Sequence, residues 1–308
     1  MNKVNAPASR TGVNPGPFGK SGKRRTGSLK ESFARGLFIV AACISILAVL
    51  LICVFLFANG LPGMFKIGVL DFLTGTKWKP GNDIYGILPM ILGSVYVTAG
   101  ALIIGVPAGL LTAIFLSRFA SGRPAKMMRS AVSLLAGIPS VVYGFFGLVV
   151  IVPLIRTLFG GSGSSLLAAC ILLGMMILPT IITLSESALN AVPQSYYEGA
   201  LALGATHERS VFFVILPAAK SGVLAAIILG IGRAIGEAMA VMMVAGNRAV
   251  IPNSLVKGVR TLTSNIVMEM GYATDLHREA LIATAVVLFV FILIINLLFS
   301  VIKRKAKL

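Results

Sequence analysis

The chain has 308 residues, of which 57% are hydrophobic and only 12% charged, with a formal net charge of +17. Soluble domains carry about 25% charged residues, so an ordinary soluble enzyme or scaffold is excluded. The basic residues lie in loops and tails that flank apolar runs, which argues against a nucleic-acid binder and for a membrane protein whose Lys and Arg stay on the cytoplasmic side.

Residues 1–35 read as a disordered, basic, cytoplasmic leader, rich in Pro, Gly and Ser and without an acidic residue before Glu31. Its Lys23-Arg24-Arg25 cluster reads as a retention signal for the cytoplasmic side, with contact to anionic lipid headgroups as the competing reading. Residues 36–85 hold a first transmembrane helix, about Gly36–Ala58, and an extracytoplasmic loop. The helix exceeds the roughly 7–15 apolar residues of a secretory signal, so it is an uncleaved anchor. Trp78 in the loop is expected at the membrane surface.

Five more spans are expected within 86–302: about Gly86–Ser117, Ser130–Val152, Ser164–Leu184, Ser221–Ala245 and Ala280–Ile302. A basic loop with Arg118, Arg123, Lys126 and Arg129 separates the second and third, and Pro153–Gly163 joins the third and fourth. Residues 303–308 form a basic cytoplasmic tail. Six spans put both termini on one side. With that side cytoplasmic, 18 basic residues fall inside and 8 outside. The expected fold is therefore an all-α membrane protein of six transmembrane helices with both termini cytoplasmic, and the stretch 186–220 is cytoplasmic too.

Within the fifth span the only charges are Arg233 and Glu237. At a spacing of four they would share one helix face about 5–6 Å apart. Charge at membrane depth costs about 2.5–3.5 kcal/mol per group on insertion scales, so such residues face a bundle interior or an aqueous path. A purely structural ion pair that lets the helix insert is the competing reading.

The cytoplasmic stretch contains Pro193-Gln-Ser-Tyr196-Tyr197-Glu198-Gly199-Ala200-Leu201-Ala202-Leu203-Gly204, then Thr206 and Val214-Ile215-Leu216-Pro217. Pro193 suits a helix start, Gly204 a stop and Thr206 a second cap. Tyr196, Ala200 and Leu203 would share a face of the first helix. Such an apolar, aromatic knob outside the membrane needs a partner surface or must fold back on the bundle. The three cysteines, Cys43, Cys53 and Cys170, lie in apolar runs without metal-ligand spacing. His207 and His277 read as loop residues, and no catalytic set or metal site is expected.

The Glu198-Gly199-Ala200 triplet, Gly204 six residues after the Glu, and the closing Val214-Ile215-Leu216-Pro217 resemble the EAA loop of bacterial ABC-importer permeases, whose fold is the MetI-like bundle. The pattern departs at Gly199 and Val214 only. Ala136-Gly-Ile-Pro139-Ser-Val-Val-Tyr143-Gly-Phe-Phe-Gly147 and Leu229-Gly-Ile-Gly-Arg233-Ala-Ile-Gly236-Glu237-Ala-Met239 are similar to segments of the PstC-like permeases of phosphate importers, and Leu73-Thr-Gly-Thr-Lys-Trp78-Lys-Pro80 to their outer loop. Ala238 stands where the resemblance predicts a Thr. The likeness covers roughly residues 30–305.

It implies a phosphate permease subunit of the bacterial inner membrane, with Arg233 and Glu237 on the substrate path. Tyr196, Tyr197, Glu198, Gly199, Ala200 and Gly204 would then seat in an ATPase. The implied partners are a second, PstA-like permease, a dimer of PstB-like ATPase subunits and an extracytoplasmic, PstS-like phosphate-binding protein. No Gly-x-x-x-x-Gly-Lys-Ser/Thr loop is present, so ATP hydrolysis is assigned to another chain, and no cofactor is expected. A planar, permanently charged guanidinium suits an oxyanion. Glu237 would hold Arg233 while the path is empty and limit how tightly the anion binds, since transport needs release. A permease for sulfate or molybdate and an ion-coupled secondary transporter remain as alternatives.

Overall fold

A computed structural model describes residues 28–305. They fall into two compact units, one ending at Ile52 and the other beginning at Cys53. Among the described residues, five helices are long and apolar enough to cross a membrane, and six if one bent pair forms a single span.

Helix α1 (Ser28–Ile67) exceeds the expected first span at both ends. Residues 28–35, assigned to the leader by composition, belong to it. The rest of the leader and residues 306–308 lie outside the described residues. Helix α2 (Val69–Thr74) leads to a hairpin of β1 (Trp78–Lys79) and β2 (Ile84–Tyr85), antiparallel with Trp78 opposite Tyr85. Trp78, expected to pack on the membrane surface, packs inside the protein. Its ring is buried against Tyr85, and Nε1 donates to Glu269 Oε2 at 2.8 Å. A buried indole N–H needs such a partner inside the protein.

Helix α3 (Leu88–Ile114) starts on Pro89 and closes in a wide π turn at Phe115–Phe119. It packs in parallel along helix α6 (Leu166–Asn190), with Gly105 meeting Ile177 and Gly109 meeting Ile181. A Cβ at Gly105 would lie 2.8 Å from Ile177 Cδ1 and 2.9 Å from the Gly174 carbonyl. Bare glycine is what lets the backbones close, and in a membrane this contact is the main attraction between helices. Leu172, Leu173, Met176, Ile177 and Ile181 fill the core beside it.

The third span is corrected. Residues Gly122–Gly137 form an amphipathic helix, α4, which carries Arg123, Lys126 and Arg129 instead of leaving them in a loop. The chain breaks at Ile138–Pro139, and the span proper is α5 (Ser140–Phe159), which contains a π turn at Gly147–Ile151. Pro139 supplies neither the N–H nor the clearance that a continuous helix requires. The expected 153–163 connection shrinks to the turn after Phe159.

The fifth span is corrected as well. Helix α7 (Gln194–Ala202) precedes α8 (His207–Ala218), which bends by 70° into α9 (Lys220–Gly236). Helix α9 stops at Gly236, and a separate short helix, α10, spans Met239–Val244. A bridge between Gly246 and Val259 then leads to α11 (Leu262–Glu269) and α12 (Asp275–Lys305).

Candidate functional site

Arg233 and Glu237 are not partners on one helix. Glu237 has left α9 with extended dihedrals (φ −73, ψ 123), and its Oε1 accepts from the Ala240 amide at 3.0 Å. It thereby caps the helix that follows the break. Arg233 is exposed and reaches Thr180 Oγ1 at 3.4 Å, one residue past Pro179 inside α6. Among the described residues the ion pairs are Lys66–Glu279, Arg129–Glu186, Arg260–Glu269 and His277–Glu269, so the expected Arg233–Glu237 pair is not among them. With Glu237 out of the helix, the i, i+4 geometry that would have set the two side chains on one face is lost, and the carboxylate turns to the orphaned amide of the next helix.

The two segments singled out in the sequence around Pro139 and Arg233 meet here. Gly144 of α5 lies against Ala240 and Met243 of α10, and Gly147 lies against Val244. The break at 138–139 has its own support, since Tyr143 Oη donates to the Leu135 carbonyl at 2.9 Å. Two interrupted helices therefore pack beside an exposed arginine. Interrupted backbone at membrane depth is tolerated where it is buried in protein or lines a water-filled cavity.

The expected coupling stretch folds as its local signals require. Pro193 occupies the N-cap of α7. Past the helix, the Gly204 amide donates to the Leu201 carbonyl and the Ala205 amide to the Ala200 carbonyl, a Schellman closure with Gly204 at φ +85. Thr206 Oγ1 accepts from the Arg209 amide at 3.3 Å. The Glu208 carboxyl, beside the same cap, is held below its ordinary range by backbone N–H groups and Thr206.

Tyr197 turns inward, packing on the cluster of Ile114, Leu189, Val192, Val211 and Ile215. Its hydroxyl lies 2.8 Å from His207 Nδ1, and the His207 ring stands edge-on to Phe119 at 4.7 Å. Tyr196, Glu198, Gly199, Leu201 and Leu203 face outward, Leu203 at 92% exposure. Ala200 is half-buried. The knob thus folds back through Tyr197 while offering a second apolar face.

Sequence reasoning missed a buried polar hub at the hairpin end of the bundle. Glu269 receives Arg260 Nη1 at 2.7 Å, Trp78 Nε1 at 2.8 Å and lies 2.9 Å from His277 Nε2. Arg260 also donates to Asn265 Oδ1 and the Asn247 carbonyl. A cavity of about 520 Å³ opens beside it, lined by Asp83, Tyr85, Tyr272, Asp275 and His277. The available signal was an acidic residue eight positions before a histidine, too weak to place either one.

Comparison with known proteins follows the same lines. Residues 105–308 match the family described as "Binding-protein-dependent transport system inner membrane component". A probable ABC transporter permease protein, YqgH of Bacillus subtilis, is 42% identical over 86% of this chain and 90% of its own length. Phosphate transport system permease proteins PstC of Mesorhizobium japonicum and Haemophilus influenzae are 34% and 35% identical, covering 79% and 71% of the chain and 81% and 76% of the relatives.

Among solved structures, a bacterial ABC transporter for import of alginate superposes with a TM-score of 0.63 at 14% identity, over 90% of this chain and 99% of that one. The MetNI methionine ABC transporter superposes at 0.54 and 23% identity, over 72% and 94%. These two show the fold. The family match and the relatives together establish that the chain belongs to the binding-protein-dependent transport system inner membrane components, multi-pass permease subunits of ABC importers whose ATP is hydrolysed by a separate subunit.

Proposed function

We propose that the chain forms the membrane path of an ATP-driven importer for inorganic phosphate, together with a second, PstA-like permease. A pair of PstB-like ATPase subunits would dock on the 193–217 segment, and a PstS-like binding protein would deliver phosphate at the hairpin end. In this reading both termini and the 186–220 stretch are cytoplasmic, and the core is 86–302. The observation that carries it is the exposed Arg233 beside two interrupted helices, in a chain whose relatives include phosphate permeases. Arg233 offers the anion a planar fork of donors. Glu237 acts through backbone, since its carboxylate holds the start of α10 and keeps the break open. Tyr196, Glu198, Gly199 and Ala200 lie on the ATPase-docking helix, Tyr197 anchors it and Gly204 ends it. Family membership removes the ion-coupled alternative.

The test is uptake by the reconstituted complex with labelled phosphate against sulfate and molybdate competitors. Arg233→Gln should lower phosphate uptake tenfold or more, about the worth of one charge-assisted hydrogen bond, with assembly intact. Arg233→Lys should retain a fraction of it. Uptake of sulfate or molybdate in preference to phosphate, or full uptake in Arg233→Gln, refutes the assignment.

A further inference from the structure

Among the described residues, eleven polar or charged side chains are buried, and five of them fall within 261–269: Thr261, Thr263, Ser264, Asn265 and Glu269. Burial of polar groups is costly unless each is matched, so this concentration on α11 and its N-cap calls for a cause. Each end of the helix is tied to something different. At its start, Thr263 Oγ1 donates to the Glu237 carbonyl at 3.0 Å, on the break between α9 and α10. The Leu262 amide donates to Ser94 Oγ of α3 at 2.9 Å, and Thr261 Oγ1 accepts from the Ser264 amide. At its end, Glu269 takes Trp78 of the hairpin, Arg260 and His277 of α12. The six steps from Thr263 to Glu269 span about 9 Å at 1.5 Å per residue.

We propose that α11 is a rigid strut, with Thr263 and Glu269 as positioning residues that make the hairpin and the Glu237 break move as one body. Neither touches the transported solute. Thr263 fixes the carbonyl of the residue whose own carboxylate caps α10. A displacement of the hairpin therefore reaches the break through one helix and two hydrogen-bonded ends. The Thr263 hydroxyl is the only side-chain donor to the Glu237 carbonyl among the described residues. That makes it the weakest joint in the strut. The proposal rests on the reading that the break borders the path.

The test uses the assembled importer in lipid nanodiscs with its ATPase and its binding protein loaded with inorganic phosphate. Thr263→Val removes the hydroxyl at constant shape, Thr263→Ser keeps it, and Trp78→Phe removes the hairpin's hydrogen bond to Glu269. Thr263→Val and Trp78→Phe should leave ATP hydrolysis without binding protein unchanged. Each should cut its stimulation by the loaded binding protein about threefold or more, the size of one net hydrogen bond. Thr263→Ser should restore it. The double variant should fall no further than the worse single, because a strut cut at one end transmits nothing from the other.

Amide hydrogen exchange at Ala240 should rise about threefold to tenfold in Trp78→Phe, where no residue of α11 is changed. Multiplying effects in the double variant, failure of Thr263→Ser to restore stimulation, or unchanged exchange at Ala240 in Trp78→Phe overturns the proposal. The exchange measurement holds whether or not Arg233 meets the anion, so failure of the path reading would appear separately, as normal uptake in Arg233→Gln.

Discussion

Replacing Glu269 tests how the hairpin end is held. Its side chain is 8% exposed and its partner Arg260 is 14% exposed, at 2.7 Å. Glu269→Leu removes the acceptor for Arg260, Trp78 and His277 together and leaves the guanidinium with Asn265 Oδ1 and the Asn247 carbonyl. Stripping one partner from a buried pair costs about 3–5 kcal/mol. Glu269→Gln keeps one carbonyl acceptor but turns charge-assisted bonds into neutral ones, a loss of about 1–2 kcal/mol at the Arg260 contact. Its NH2 also faces a donor on the Trp78 and His277 side.

The expected order of destabilisation is therefore Leu above Gln above wild type. Adding Arg260→Met to Glu269→Leu should recover stability, because well-packed apolar replacements for a buried pair are neutral or stabilising by about 1–4 kcal/mol. Unfolding of the purified protein in mixed micelles, followed by the single tryptophan, Trp78, measures all three variants. A cost below about 1 kcal/mol for Glu269→Leu, or a double variant no better than the single, refutes the reasoning.

Three further outcomes are expected. No atom lies within 4 Å of the position a Cβ would take at Gly199, so Gly199→Ala should stabilise α7 by up to about 1 kcal/mol in an unfolding assay while uptake per ATP stays at the wild-type value; a drop in that ratio would show that the site is closed in the complex. Gly105→Ala should destabilise by about 1–3 kcal/mol through overpacking against Ile177 and the Gly174 carbonyl, and a neutral result would show that α3 and α6 separate freely. The Tyr85 phenol is raised above its ordinary value of 10.0, by burial first and then by its hydrogen bond to Asp83 and the Asp83 charge. Its contribution to stability is thus complete below pH 10 and is lost as pH rises through the higher folded value. An alkaline titration of Trp78 fluorescence should show that loss, and Tyr85→Phe should diminish it, leaving the share of Tyr272, whose phenol is raised as well.

The apolar runs and local punctuation were legible in the sequence because they depend on neighbours along the chain. Pro193, Gly204 and Thr206 mark the bounds of α7 and the start of α8 by their own dihedrals and side chains. The spans went wrong where tertiary contacts decide. Helix α4 contains enough apolar residues to imitate the start of a span, but the restart at Pro139 belongs to α5. Nothing in Gly232-Arg233-Ala-Ile-Gly236-Glu237 announces a break. It is held by Thr263, 26 residues later, and by the Glu237 cap on Ala240. The Glu269 hub joins residues up to 191 apart, beyond the reach of any periodicity. Local patterning located Arg233 and Glu237 but paired them wrongly, because a regular helix was assumed through them.

The uncovered guanidinium of Arg233 has a consequence for biogenesis. In the arrangement proposed above, a copy inserted without the second permease would hold that cation with Thr180 as its hydrogen-bond partner among the described residues, and charge at membrane depth costs about 2.5–3.5 kcal/mol on insertion scales. Pairing with the second permease would relieve that cost, and a lone copy would be the less stable species.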